Sequence, residues 1–138
     1  MEMKIVTTDN IHELHELCTM FGVTTTTDTM MKTLAENDRE IVCIAYIDGV
    51  PVGFISGLIV ISACYAEVRA EVEALYVKSE YQRRGIGEAL VKYLEKLFIA
   101  QGISHFHIAT HSDNLSAQSL CKKLGYSKTG EILLDKTI

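Results

Sequence analysis

Apolar residues recur at three- and four-residue spacing through Ile11, Leu14, Leu17, Cys18 and Phe21, which predicts an amphipathic helix opened by Asp9 or Asn10 and closed near Gly22. A short strand over residues 4–7 precedes it. The β-branched loop 24–27 leads to a second short helix, capped by Asp28, with Met30, Met31 and Leu34 on its buried side. Two apolar runs, 41–47 and 50–61, flank Asp48-Gly49, a dipeptide suited to the positive φ angles of a tight hairpin turn. Residues 67–77 begin in strict alternation, with Glu67, Arg69, Glu71 and Glu73 on one face and Val68, Ala70, Val72 and Ala74 on the other. The alternation fails at Leu75, Tyr76 and Val77, as it does at a bulge or a wholly buried strand end where a ligand can approach the backbone.

Residues 86–100 form the clearest amphipathic helix, with Ile86, Leu90, Leu94 and Phe98 inward and Lys92 and Glu95 outward. A strand over 103–109 follows, then a helix opened by Ser112 or Asn114 and running to Leu124, with Gly125 as its left-handed end. Residues 126–138 divide at Thr129-Gly130 into two expected strands, whose edge would suit pairing with a second copy in a homodimer. The order of elements predicts a mixed α/β (α+β) fold, not a repeating βαβ sheet. No repeat or linker interrupts residues 1–138, read here as one domain.

Composition narrows the partners. Thirteen Lys+Arg against eighteen Asp+Glu give a net charge of −5, which disfavours nucleic acid and suits a cationic substrate. Cys18, Cys43, Cys64 and Cys121 are too scattered for a metal site, and with no secretory signal at the start they point to free thiols in a reducing cytoplasm. The uncharged stretch 49–66 is broken by Pro51, Gly53 and Gly57, so it reads as buried strand and not as a membrane span. His105, His107, His111, His12 and His15 form no convincing ligand set, and no metal is expected.

The most informative stretch lies between the strand ending at Val77 and the long helix: Gln82-Arg83-Arg84-Gly85-Ile86-Gly87-Glu88. Gly85 and Gly87 carry no Cβ to keep an anion away from the first helical N–H groups, which are unpaired and lie at the positive end of the helix dipole. Arg83 and Arg84 add full charge. The stretch reads as a pyrophosphate cradle. It is not a Walker loop, since no lysine follows Gly87, and Leu90 stands where a dinucleotide fingerprint needs a third glycine.

Residues 77–90 resemble the acetyl-CoA signature of the GNAT superfamily of N-acetyltransferases, Gln/Arg-x-x-Gly-x-Gly/Ala. Asn114-Leu115-Ser116-Ala117, followed by Leu120 and Leu124-Gly125-Tyr126, is similar to the family's last-helix pattern. The resemblance implies a mostly antiparallel sheet splayed at the cofactor site and flanked by about four helices. It also implies acetyl transfer from acetyl-CoA to a primary amine, on a small molecule or a protein, by direct attack in a ternary complex.

On that resemblance the backbone of Leu75, Tyr76 and Val77 runs beside the pantetheine arm, and a main-chain N–H, first that of Leu75, faces the thioester oxygen. The amides of Arg83, Arg84, Gly85, Ile86, Gly87 and Glu88 hold the pyrophosphate, and Asn114 contacts the arm from the other side. A lysine-like amine has a pKa near about 10.4 and must lose a proton to attack, so a base is expected. Glu73 is the first candidate and Glu71 the second, with His111 or water also open. Cys121 stands where the family often has a tyrosine, and is the candidate acid for the leaving thiolate. That departure keeps a second reading open: an acetyl-CoA-binding sensor or interaction module with weak or no turnover.

Overall fold

A computed structural model describes residues 1–138. Its strands are β1 (Glu2–Ile5), β2 (Glu40–Ile47), β3 (Val50–Ser62), β4 (Tyr65–Val77) and β5 (Phe106–Ile108); its helices are α1 (Ile11–Met20), α2 (Thr27–Glu36), α3 (Ile86–Ile99) and α4 (Leu115–Lys123). The strands lie in the order β1-β2-β3-β4-β5. The first four pair antiparallel, and β5 joins β4 in parallel. The expected fold class is therefore the one formed.

Burial explains why the central strands read as continuous apolar runs. Along β2, Cys43 and Ala45 belong to the core beneath α3, whereas Val42, Ile44 and Tyr46 belong to the core beneath α1, so both faces are covered. Ile86, Leu90, Val91, Leu94 and Phe98 of α3 fill the first core. Ile11, Leu14, Leu17 and Cys18 of α1 fill the second. Gly57 lets α3 approach the sheet: a Cβ there would lie 2.7 Å from the Phe98 ring and 2.8 Å from Leu94 Cδ2. The hairpin turn forms as expected, with Asp48 at φ 49° and Gly49 at φ 78°.

The break in β4 falls earlier than the sequence suggests. Ser56 pairs with Ala74 and Gly57 with Val72, so Glu73 is an extra residue without a partner on β3. The main chain changes phase across it. Before the bulge the Ala70 N–H donates to the His105 carbonyl toward β5; after it, the Lys78 N–H donates to the Val52 carbonyl toward β3. Side chains change phase too, since Ala70 and Val72, then Leu75 and Val77, pack into the α3 core. Beyond the bulge, Leu75, Tyr76 and Val77 alternate across two covered faces, Leu75 and Val77 against the α3 core and Tyr76 against Phe21.

Pairing of β4 with β5 ends at Val72–Ile108, so the two strands part where the bulge begins. β5 itself covers only Phe106–Ile108 of the seven residues expected. In α2 the cap is Thr26, whose hydroxyl accepts from the Thr29 N–H, while Asp28 sits in the first turn; Met31 is exposed, not buried. The two C-terminal strands do not form. Residues 127–138 are exposed, with Ile132, Leu133 and Leu134 each at least 80% accessible: the segment's apolar residues meet no partner within the chain. No helix is long and apolar enough to cross a membrane.

Candidate active site

The turn between β4 and α3 is a run of free donors. None of the six main-chain N–H groups from Arg83 to Glu88 donates to another group of the protein. The backbone conformation makes this possible, with Arg83 at φ 61° and Gly85 at φ 79°. Left-handed residues in such a turn gather successive N–H groups into a concave anion receptor. A non-glycine residue in that region costs about 1–2 kcal/mol, so Arg83 stores strain where the donors converge. Gly85 has open space where a Cβ would stand, so its own requirement is conformational.

Side chains around the turn have defined places. Arg84 lies over the Tyr81 ring, 5.1 Å from its centroid. Glu88 would bring negative charge to an anion site, but Lys123 Nζ at 2.6 Å and Lys92 Nζ at 2.8 Å neutralise it. Lys123 first, and Lys92 second, hold its carboxyl down at about 2. Asn114 caps α4 by accepting from the Ala117 N–H through Oδ1, which leaves its amide nitrogen to donate elsewhere.

At the parting of β4 and β5, the alternation of the antiparallel ladder decides which groups are exposed. Lys78 bonds toward β3, so Leu75 and Val77 present their N–H and C=O groups to the side that β5 has left. The Gln82 amide already donates to the Val77 carbonyl at 3.1 Å. The Leu75 N–H faces the gap, beside the bulge at Glu73.

The two candidate bases differ in company. Arg69 grips Glu71 through Nε at 3.2 Å and a terminal nitrogen at 3.0 Å, both to Oε1. Glu73 is exposed and unpaired at the bulge, and its charge acts on Glu40 of β2. Glu71 is thus paired with a cation, whereas Glu73 is not and acts on a second carboxylate, Glu40. His111 is almost fully exposed, 4.0 Å from Asp113. Cys121 is partly buried on α4, and burial raises its thiol pKa, so it carries its proton at neutral pH. The Tyr126 hydroxyl donates to Glu95 at 2.8 Å, which ties it into the structure.

Sequence reasoning did not single out Glu40. It stands one residue before an apolar run and carries no motif. The structure sets it, with the nine-tenths-buried Ser56, in the wall of a cavity of about 220 Å³ between the sheet, α1 and α2. Ser56 is directly opposite Ala74, one strand spacing from the bulge.

Comparison with known proteins identifies the family and the fold. Residues 8–126 match the family described as the acetyltransferase (GNAT) family. An acetyltransferase of Yersinia pestis (strain Pestoides F) is 28% identical over 141 residues, covering 100% of this chain and 96% of its own. Human N-acetyltransferase 8 is 35% identical over 80 residues, 58% of this chain and 35% of its own. Among solved structures, an aminoglycoside acetyltransferase from an uncultured soil metagenomic sample, in complex with sisomicin, superimposes with a TM-score of 0.87 at 14% identity, covering 99% of this chain and 95% of its own. AAC(6')-Iy in complex with the bisubstrate analogue CoA-S-monomethyl-acetylneamine gives 0.85 at 17% identity, covering 100% of this chain and 99% of its own.

Proposed function

The chain belongs to the acetyltransferase (GNAT) family and is an acetyl-CoA-dependent acyltransferase, and from that premise we propose that it acetylates a primary amine by direct attack within a ternary complex. The observation that carries this reading is the row of six unengaged N–H groups from Arg83 into the first turn of α3, which fits a pyrophosphate and leaves no acceptor of the protein in its place. Arg83, Arg84, Gly85, Ile86, Gly87 and Glu88 hold the diphosphate through main-chain donors. The backbone of Leu75, Tyr76 and Val77 lies along the pantetheine arm, and the Asn114 amide nitrogen donates to it from the far side. Acetyl-CoA, when bound, supplies an acetyl group activated as a thioester.

The chain's own residues do the rest. The Leu75 N–H donates to the acetyl oxygen, where negative charge grows as the amine attacks. Glu73 takes the proton that the attacking amine must lose, and its freedom from any cation of the protein suits it to that role better than Glu71. Cys121, protonated at neutral pH, returns a proton to the departing sulfur. Four free thiols support a reducing cytoplasm as the compartment. The exposed Ile132, Leu133 and Leu134 and the open edge of β5 support a homodimer, in place of the strand edge expected from the sequence.

The test is CoA release from acetyl-CoA with a panel of primary amines. Amine-dependent release that Glu73→Gln suppresses supports the reading; tight acetyl-CoA binding with no amine-dependent release transfers the protein to the sensor reading.

A further inference from the structure

The cavity between α1, α2 and the sheet is chemically two-ended. At one end Leu14, Met30, Leu34 and Phe54 supply an apolar wall, interrupted by the hydroxyls of Thr25, Thr29 and Thr33. The other holds Glu40 and Ser56, and it adjoins the bulge because Ser56 faces Ala74 across the β3–β4 ladder. Glu40 forms no salt bridge, and the charged group that acts on it is another carboxylate, Glu73. Burial chiefly raises its pKa, Ser56 partly offsets this, and Glu73 adds to it. A half-buried carboxylate with no cation beside it is costly to the folded chain, and the cost is relieved when a ligand brings the charge.

Resting on the amine-acetylation reading above, we propose that this cavity is the acceptor site and that Glu40, with Ser56, selects a primary amine carried on a small apolar body. The ammonium sits at the Glu40 end, within reach of the bulge where its proton is taken, and the body lies against Leu14, Met30 and Phe54. Size sets the scale. An apolar cavity of about 150 Å³ accommodates benzene, so about 220 Å³ takes a body somewhat larger. A second charge at the far end of the ligand would meet Leu14, Met30 and Phe54 with only the neutral hydroxyls of Thr25, Thr29 and Thr33 to solvate it, and no countercharge, which disfavours it. The site thus favours a monoamine over the polycationic sisomicin bound by its structural neighbour.

The experiment uses n-hexylamine, 1,6-diaminohexane and sisomicin as probes with the full chain and acetyl-CoA. It measures CoA release, and amine binding by calorimetry with CoA present. We expect n-hexylamine to be preferred to both polycations by at least tenfold in kcat/KM. Glu40→Gln should raise the KM for n-hexylamine at least tenfold while leaving the KM for acetyl-CoA unchanged, and Glu40→Asp should recover part of the loss. Glu40→Gln should also raise the apo Tm at pH 7.5, an effect that a merely structural carboxylate would not show. Preference for sisomicin, or an unchanged amine KM in Glu40→Gln, overturns this inference and leaves the amine-acetylation reading intact. Glu40-dependent binding of n-hexylamine without turnover overturns the amine-acetylation reading and, with it, the acceptor role of the cavity, leaving only an amine-binding site at Glu40; absence of both binding and turnover with every probe overturns that as well.

Discussion

Lys123 Nζ lies 2.6 Å from Glu88 Oε2, although 35 positions separate the two residues, and this contact joins the end of α4 to the first turn of α3. Both helices flank the turn of residues 83–88. The folded Glu88 carboxyl titrates near 2 instead of 4.5, so its contribution to stability is complete above 4.5 and is lost as the pH falls toward 2. Glu88→Gln should lower the Tm at pH 7, with the gap to wild type closing between pH 4.5 and 2. Added salt should narrow it as well, because the Lys123 side chain is exposed. A gap that persists at pH 2 would assign the loss to packing.

Gly85 separates turn-making from anion binding. At φ 79°, an alanine costs about 1–2 kcal/mol in strain, while asparagine and aspartate enter this region more readily. Thermal melts should therefore rank Gly85→Asn and Gly85→Asp above Gly85→Ala. The KM for acetyl-CoA should rank them differently, with Gly85→Asp raised at least tenfold over Gly85→Asn by its charge alone. Equal KM values for the two would deny the turn an anion.

For proton removal, Glu73→Gln should lower kcat by about 10²- to 10⁴-fold, the usual range for a general base, and flatten the acidic limb of the pH–rate profile. Glu71→Gln should have the smaller effect, since its carboxylate already serves Arg69. Cys121→Ala should lower kcat by less than Glu73→Gln. The reverse order between Glu71 and Glu73 would reassign the base.

The packing of α3 on β3 makes a stability prediction independent of chemistry. Gly57→Ala forces a methyl to within 2.7 Å of the fully buried Phe98 ring, and overpacking of this kind costs about 1–3 kcal/mol. Chemical denaturation should show that loss. An unchanged midpoint would mean that Phe98 and Leu94 move aside freely.

Sedimentation velocity tests the assembly. The full chain should sediment as a dimer, and a chain ending at Lys128 as a monomer. A monomeric full chain would leave the exposed Ile132, Leu133 and Leu134 without the role given to them here.

The elements that the sequence announced plainly are those with a strong local cause. Asp48-Gly49 sets its own turn, and the apolar stripe of α3 and the glycines ahead of it need no distant partner to be recognised. What was harder to read depends on tertiary contact. The phase change at Glu73 is visible only when β3 is laid alongside, and the pairing of Glu71 with Arg69 requires side-chain geometry. Glu40 lies far from any motif and gains meaning only from the cavity it lines. Residues 127–138 have strand-like composition, but no neighbour within the chain completes them.

The supernumerary Glu73 also constrains how this protein can vary. Loss of a single codon between those for Val72 and Ala74 would leave these two residues opposite Gly57 and Ser56 as consecutive pairs of a regular ladder, with Leu75 and Val77 still against the helix they support and Tyr76 still against Phe21. Substitution at this point alters chemistry; loss of the residue would straighten the strand and leave both faces as they are.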